Sequence, residues 1–98
     1  MSNQVTINNK KLPLRFDFNA LAEFEKLTGH NAFELGKFKF GATETIALCY
    51  VGLKCANEDL EMSLKDVGKA LKINSFEDVM TAYVHDMEDL MGEQEEGK

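Results

Sequence analysis

The chain has no Trp, one Pro and two Cys among its 98 residues. It also lacks any apolar run near the roughly 20 residues that a membrane-spanning helix requires. Its opening, MSNQVTINNKK, has no apolar signal-peptide core, so synthesis in the cytoplasm is the expectation. Cys49 and Cys55 stand six positions apart on one expected helix, about 9 Å along its axis, which is too far for a disulfide. Both read as small buried hydrophobes in a reducing compartment.

Reactive groupings are equally scarce. The only serines are Ser2, Ser63 and Ser75, and neither GxSxG, GxxxxGK[ST], GxGxxG nor CxxC occurs. His85 and Asp89, four apart on a helix, offer two ligands where a closed metal site needs more. The acidic run Asn57 to Glu61 lacks the sixth-position glycine of a calcium loop and has Gly68 at the acidic twelfth position. No catalytic, cofactor-binding or metal-binding residue is assigned. The chain is expected to be no enzyme and to use no cofactor.

What the sequence does contain is apolar bulk and acid. Hydrophobic residues make up 44% of it and seven are Phe, enough for a packed core instead of a disordered chain. The net charge of -6 is uneven. Residues 1–41 carry six Lys/Arg against four Asp/Glu, and residues 42–98 carry five against thirteen. Such an acidic second half repels phosphate backbones and argues against nucleic-acid binding.

The stretch TETIALCYVGLKCA, Thr43 to Ala56, is apolar at nearly every angular position of a helix, with Ile46, Cys49, Tyr50 and Leu53 forming one stripe. A helix of that kind has to be covered on several sides, so it is the expected centre of the fold.

Ahead of it, Val5 to Phe16 reads as two short strands around an Asn8-Asn9 turn, with Val5, Ile7, Leu12, Leu14 and Phe16 alternating and Pro13 confining its strand to an edge. Asp17 is placed to cap a helix running to about Thr28. Phe16 and Leu21 form a hydrophobic staple, Phe18, Leu21, Phe24 and Leu27 form the apolar side, and Gly29 ends it. His30 to Gly41 breaks the pattern, yet Phe33, Leu35, Phe38 and Phe40 pin it to the core, with a helical turn at Ala32 to Leu35.

Beyond the centre, Ser63 with Asp66 forms a capping box for a short helix to about Lys72 that presents Leu64, Val67 and Leu71, and Met62 staples to Val67. Ser75 with Asp78 reads as a second box. It opens a helix whose apolar residues Phe76, Val79, Met80, Tyr83, Val84, Met87, Leu90 and Met91 recur by threes and fours.

Acidic groups near the end of this helix oppose its dipole, so fraying after about Leu90 is expected. The expected architecture is mainly α (α+β). An N-terminal β-hairpin is followed by a small bundle of about four helices around a buried central helix. Residues 1–91 form the domain and 92–98 a disordered acidic tail.

Met80, Met87 and Met91 are flexible, polarizable groups suited to adaptable apolar contacts. Near the chain's end little sequence remains to cover them, so Tyr83, Met87, Leu90 and Met91 are the expected partner-binding residues.

The stretch LPLRFDFNALAEFEKLTG, Leu12 to Gly29, carries F-D-x-N-A-L-x-E-x-E-x-L-T-G. A Phe-Glu-Leu turn, the helix ETIALCYVGLKCAN and the segment S-L-K-D-V-G follow it. In order and kind of element, from about Val5 to Leu90, this resembles the tail assembly chaperones of long-tailed bacteriophages and prophages. The resemblance implies a non-virion factor of the infected bacterial cytoplasm. Such a factor escorts the helical tape measure protein until tail tube subunits polymerise around it. It implies no catalytic residue, contact with the tape measure and tail tube proteins, and room for homo-oligomers. A small oligomerising structural protein of the particle, or an acidic regulatory module, are the rival expectations.

Overall fold

The computed structural model describes residues 3–37 and 40–91, with positions 35, 36 and 91 described by their backbone alone. Two strands, β1 (Gln4–Ile7) and β2 (Lys10–Pro13), pair antiparallel with Val5 opposite Leu12 and Ile7 opposite Lys10. Asn8 and Asn9 join them at φ of 51° and 69°. Consecutive left-handed residues make the tight turn whose twist matches that of the flanking strands. Pro13 sits at the end of an edge strand, where its missing N–H costs nothing.

Helix α1 (Phe18–Thr28) begins as its sequence dictates, with the Asp17 carboxylate accepting the Ala20 N–H at 3.0 Å. It ends on Gly29 at φ 78°. A 3₁₀ segment, Ala32–Lys37, leads to α2 (Ala42–Ala56), followed by α3 (Leu64–Ala70) and α4 (Ser75–Met91). The capping box at α3 is fully formed, Ser63 and Asp66 each accepting the other's backbone N–H at 3.1 Å.

Helix α2 is the buried centre. Ala47, Leu48, Cys49, Val51, Gly52 and Leu53 are closed off from solvent, and α1, α3, α4 and the hairpin all pack around it. Each fully buried Leu or Val here contributes roughly 1.5 to 3 kcal/mol relative to exposure, so this helix is the largest single source of cohesion.

The hairpin is fastened by its own exit strand. Three successive amides find acceptors on three different elements: Leu14 N–H on Asn3 C=O at 2.7 Å, Arg15 N–H on Gly52 C=O at 3.1 Å, and Phe16 N–H on the Asp86 carboxylate at 2.9 Å. The chain leaving β2 therefore rests on the residue before β1, on α2 and on α4 in turn. A two-stranded ribbon that would be marginal alone becomes part of the core.

Three local expectations are corrected. Ser75 does not cap the amide of Asp78. It is the first residue of α4, buried, and its hydroxyl accepts the Lys72 N–H at 3.1 Å. That bond closes the α3–α4 turn and ends α3 at Ala70, short of Lys72. Phe18 is not on the buried side of α1. It is 61% exposed and stacks edge-on against Phe33, itself 58% exposed, with centroids 5.9 Å apart. The 3₁₀ segment is pinned by backbone, not by Phe33: the Ala32 N–H donates to Glu25 and its C=O accepts the Tyr83 hydroxyl. The expected tail, 92–98, and the Phe38 anchor lie outside the described residues.

Candidate partner-binding surface

The two cysteines and the His85–Asp89 pair are the groups with potential for chemistry that the sequence singles out. Cys49 is wholly buried, and burial pushes its thiol up to about 12. Cys55 is only partly buried, contrary to the expectation for it, but its thiol is also raised, first by burial and then by the neighbouring Asp17 carboxylate. Neither is a ready nucleophile.

The metal-ligand pair His85 and Asp89 gains a third member that the sequence did not suggest. Asp86 brings the three ligand atoms within 4.8 Å of one another. Asp86 is already engaged, however, taking the Phe16 N–H on one oxygen and the Asn3 amide on the other, both at 2.9 Å. His85 and Asp89 are exposed. Asp86, with His85 also against the Asn3 amide at 3.3 Å, clasps α4 to the N-terminal segment.

The surface of α4 is more informative. Of the four residues expected to meet a partner, Tyr83 is a core group. It is 7% exposed, sits edge-on to Phe16 at 5.6 Å, and donates its hydroxyl to Ala32 C=O at 2.7 Å. Its phenol is shifted upward by burial. Met87 and Leu90 are half-buried against the core, and the Met91 side chain lies outside the described residues.

The apolar groups that do face outward stand one sector further round the helix. At 100° per residue, Val79, Ala82, Tyr83 and Leu90 point inward, and Phe76, Met80 and Val84 follow one edge of that face. Phe76 is 41% and Val84 51% exposed, with Met80 half-buried between them. Ile73, in the turn just before α4, is 94% exposed and extends the line.

Two shallow clefts follow this edge. One, of about 610 Å³, is lined by Phe40, Ala42, Thr45, Leu71, Lys72, Ile73 and Phe76. The other, of about 430 Å³, is lined by Met80, Thr81, Val84, His85 and Glu88. The ring of Phe40 lies 6.0 Å from that of Phe76 and walls the first. The sequence pattern shows that α4 is amphipathic but not which sector of it is left exposed. A broad apolar arc on a wheel does not say which of its edges the neighbours leave uncovered.

No helix among the described residues is long and apolar enough to cross a membrane. No family model matches the chain, and neither curated proteins nor solved structures yield a match.

Proposed function

We propose that this protein is a tail assembly chaperone of a long-tailed bacteriophage or prophage, a non-enzymatic factor that binds the tape measure protein and recruits tail tube subunits. The observation that supports this reading is the exposed apolar edge of α4. Ile73, Phe76, Met80 and Val84 form one line beside two clefts, along the edge of the face that α4 turns to the core.

A protein that escorts a long apolar helix needs such a strip. Contiguous exposed apolar groups on a small protein mark a binding surface more often than scattered ones do. Burying four side chains of this size yields a gross ~6 to 12 kcal/mol, much of which association entropy offsets. Each copy then binds weakly, is displaced by tube subunits, and gains hold from many copies along one client. The family assignment itself comes from the motif running from Phe16 to Gly29 and the order of elements after it.

The test has two arms. The tagged protein, co-expressed with the tape measure protein of the same phage, should retain it on an affinity column. Mass spectrometry of purified particles should find this protein missing from them. Its presence in particles would move the assignment to a structural component. Failure to retain the tape measure protein would remove the chaperone role.

A further inference from the structure

We propose that the outward edge of α4 takes a cationic amphipathic helix, laid along Phe76, Met80 and Val84 with its Lys or Arg residues against Glu77 and Glu88. This inference rests on the client-binding reading and adds the charge and shape of the segment that is bound.

The reason lies in what borders the apolar line. On the helix wheel Phe76, Met80 and Val84 occupy a sector of about 80°, and Glu77 and Glu88 adjoin it on the solvent side. Both glutamates are exposed, and Glu88 lines the same cleft as Met80 and Val84. From Ile73 to Met91 the chain has five Asp or Glu and no Lys or Arg. Lys72, in the turn before α4, lines the first cleft, but Glu77 and Glu88 have no cation on their own helix, and the second cleft has none in its lining.

Charge decides between the candidate occupants. A second copy of α4 would bring Glu77 and Glu88 of both molecules into one seam without a counter-charge, and close like charges oppose association. The chain's own last residues, GEQEEGK, have no large apolar side chain to offer and carry more acid. A helix with apolar residues at intervals of three and four, flanked by Lys or Arg, matches both features. It buries the line and pairs the rim, the arrangement by which helices in grooves gain affinity from the apolar stripe and orientation from the charges.

The glutamates stand eleven positions apart, about 16 Å along the axis. The bound helix must therefore run beside α4 for about three turns.

Fluorescence anisotropy with labelled synthetic peptides of about 18 residues, five helical turns, tests this directly. One peptide has a Leu stripe flanked by Lys, a second has Glu for every Lys, and a third has the first peptide's composition in scrambled order. The expected result is binding of the first alone, weakening roughly threefold or more between about 50 mM and 300 mM salt. Val84→Gln should weaken it roughly tenfold. Glu77→Gln with Glu88→Gln should weaken it roughly threefold and abolish most of the salt dependence. All variants should keep the parent's circular dichroism.

Equal binding of the scrambled peptide would reduce the effect to attraction between a polycation and an acidic protein, and would overturn the proposal. So would equal binding of the Glu peptide, or no binding of any. Tape measure retention without peptide binding sinks this inference alone. Peptide binding without tape measure retention sinks the chaperone assignment and leaves the surface standing.

Discussion

Gly52, in the middle of the buried helix, is the described glycine whose surroundings leave least room for a side chain. A Cβ added there would lie 2.6 Å from Phe16 Cζ, 2.9 Å from Phe16 Cε1 and 3.1 Å from Leu14 Cδ2. Contacts below 3.0 Å are not tolerated, so the Phe16 ring or its backbone must move. The ring has little freedom. It is 2% exposed, lies edge-on to Tyr83, and its backbone N–H is tied to Asp86. The preceding amide, Arg15, donates to Gly52 itself. Gly52→Ala therefore pushes the hairpin's exit strand off α2 at the point where that strand is bonded to α2.

The opposing effects can be weighed. Ala in place of a mid-helix Gly favours the helix by about 1 kcal/mol. Overpacking a closed core costs about 1 to 3 kcal/mol, and the restraints on Phe16 put this site toward the upper end. The net expectation is a loss of about 1 to 2 kcal/mol, a drop in melting temperature of roughly 5 to 10 °C for a chain of this length. Urea denaturation followed by circular dichroism measures it. The paired variant Gly52→Ala with Phe16→Leu should be less destabilised than the sum of the two single changes, because the smaller side chain vacates the space that the new methyl needs. A Gly52→Ala protein as stable as the parent would refute the placement of the exit strand on α2.

Two further outcomes follow from the titrating groups. Under native conditions an alkylating reagent should modify Cys55 slowly and Cys49 only as fast as the chain unfolds, since Cys49 is closed off and its thiol stands near 12; peptide mapping that finds Cys49 labelled at a free-thiol rate would contradict the buried α2. Asp17, Asp66 and Glu44 are each held below their ordinary carboxylate values, first of all by a backbone N–H, from Ala20, Ser63 and Gly41 respectively. A depressed folded-state value means that the stabilisation is present above the ordinary values of 3.8 and 4.5 and is lost as pH falls through and below them. Urea midpoints should thus fall between pH 6 and pH 3, and Asp17→Asn should shrink that fall; an unchanged pH slope in the variant would show that the α1 cap carries none of it.

The hairpin turn, the caps at Asp17 and Ser63, the Gly29 terminus and the buried centre at Leu48 to Leu53 were all legible in the sequence. Each follows from rules spanning a few residues: two asparagines that tolerate positive φ, a carboxylate or hydroxyl three positions before an amide, a glycine after the last turn, and a segment apolar all round. What escaped was decided over long separations. Asp86 meets Phe16 across 70 positions and Tyr83 meets Ala32 across 51. Nothing in the local pattern distinguishes an aspartate that clasps a distant amide from one that faces water. Ser75 followed a local rule, but the wrong one. The same hydroxyl can cap forward or close the turn behind it, and the tight α3–α4 connection selected the second. Tyr83 stands in the expected partner-binding set because it shares the apolar stripe of Met87 and Leu90, but the 3₁₀ segment, far back in the chain, covers it.

The exposed edge of α4 could be regarded as the remainder that a short chain fails to bury, since about 98 residues hide only some 60 to 65 per cent of their unfolded surface. A remainder of that kind should be scattered over the surface and indifferent to charge. Phe18 with Phe33 fits that description no better than Ile73, Phe76 and Val84 do, because both sets are clustered. Only the second is bordered by carboxylates on a helix that lacks any cation. Those carboxylates have two effects that a neutral border would not have. In the docking proposed above, they oppose the pairing of two copies through the strip and are expected to favour a basic helix over a neutral or acidic one. On that proposal, self-avoidance and partner choice have one source, the two glutamates. A variant with Glu77 and Glu88 neutralised is therefore expected to lose discrimination between the Lys and Glu peptides while the apolar line itself stays unaltered.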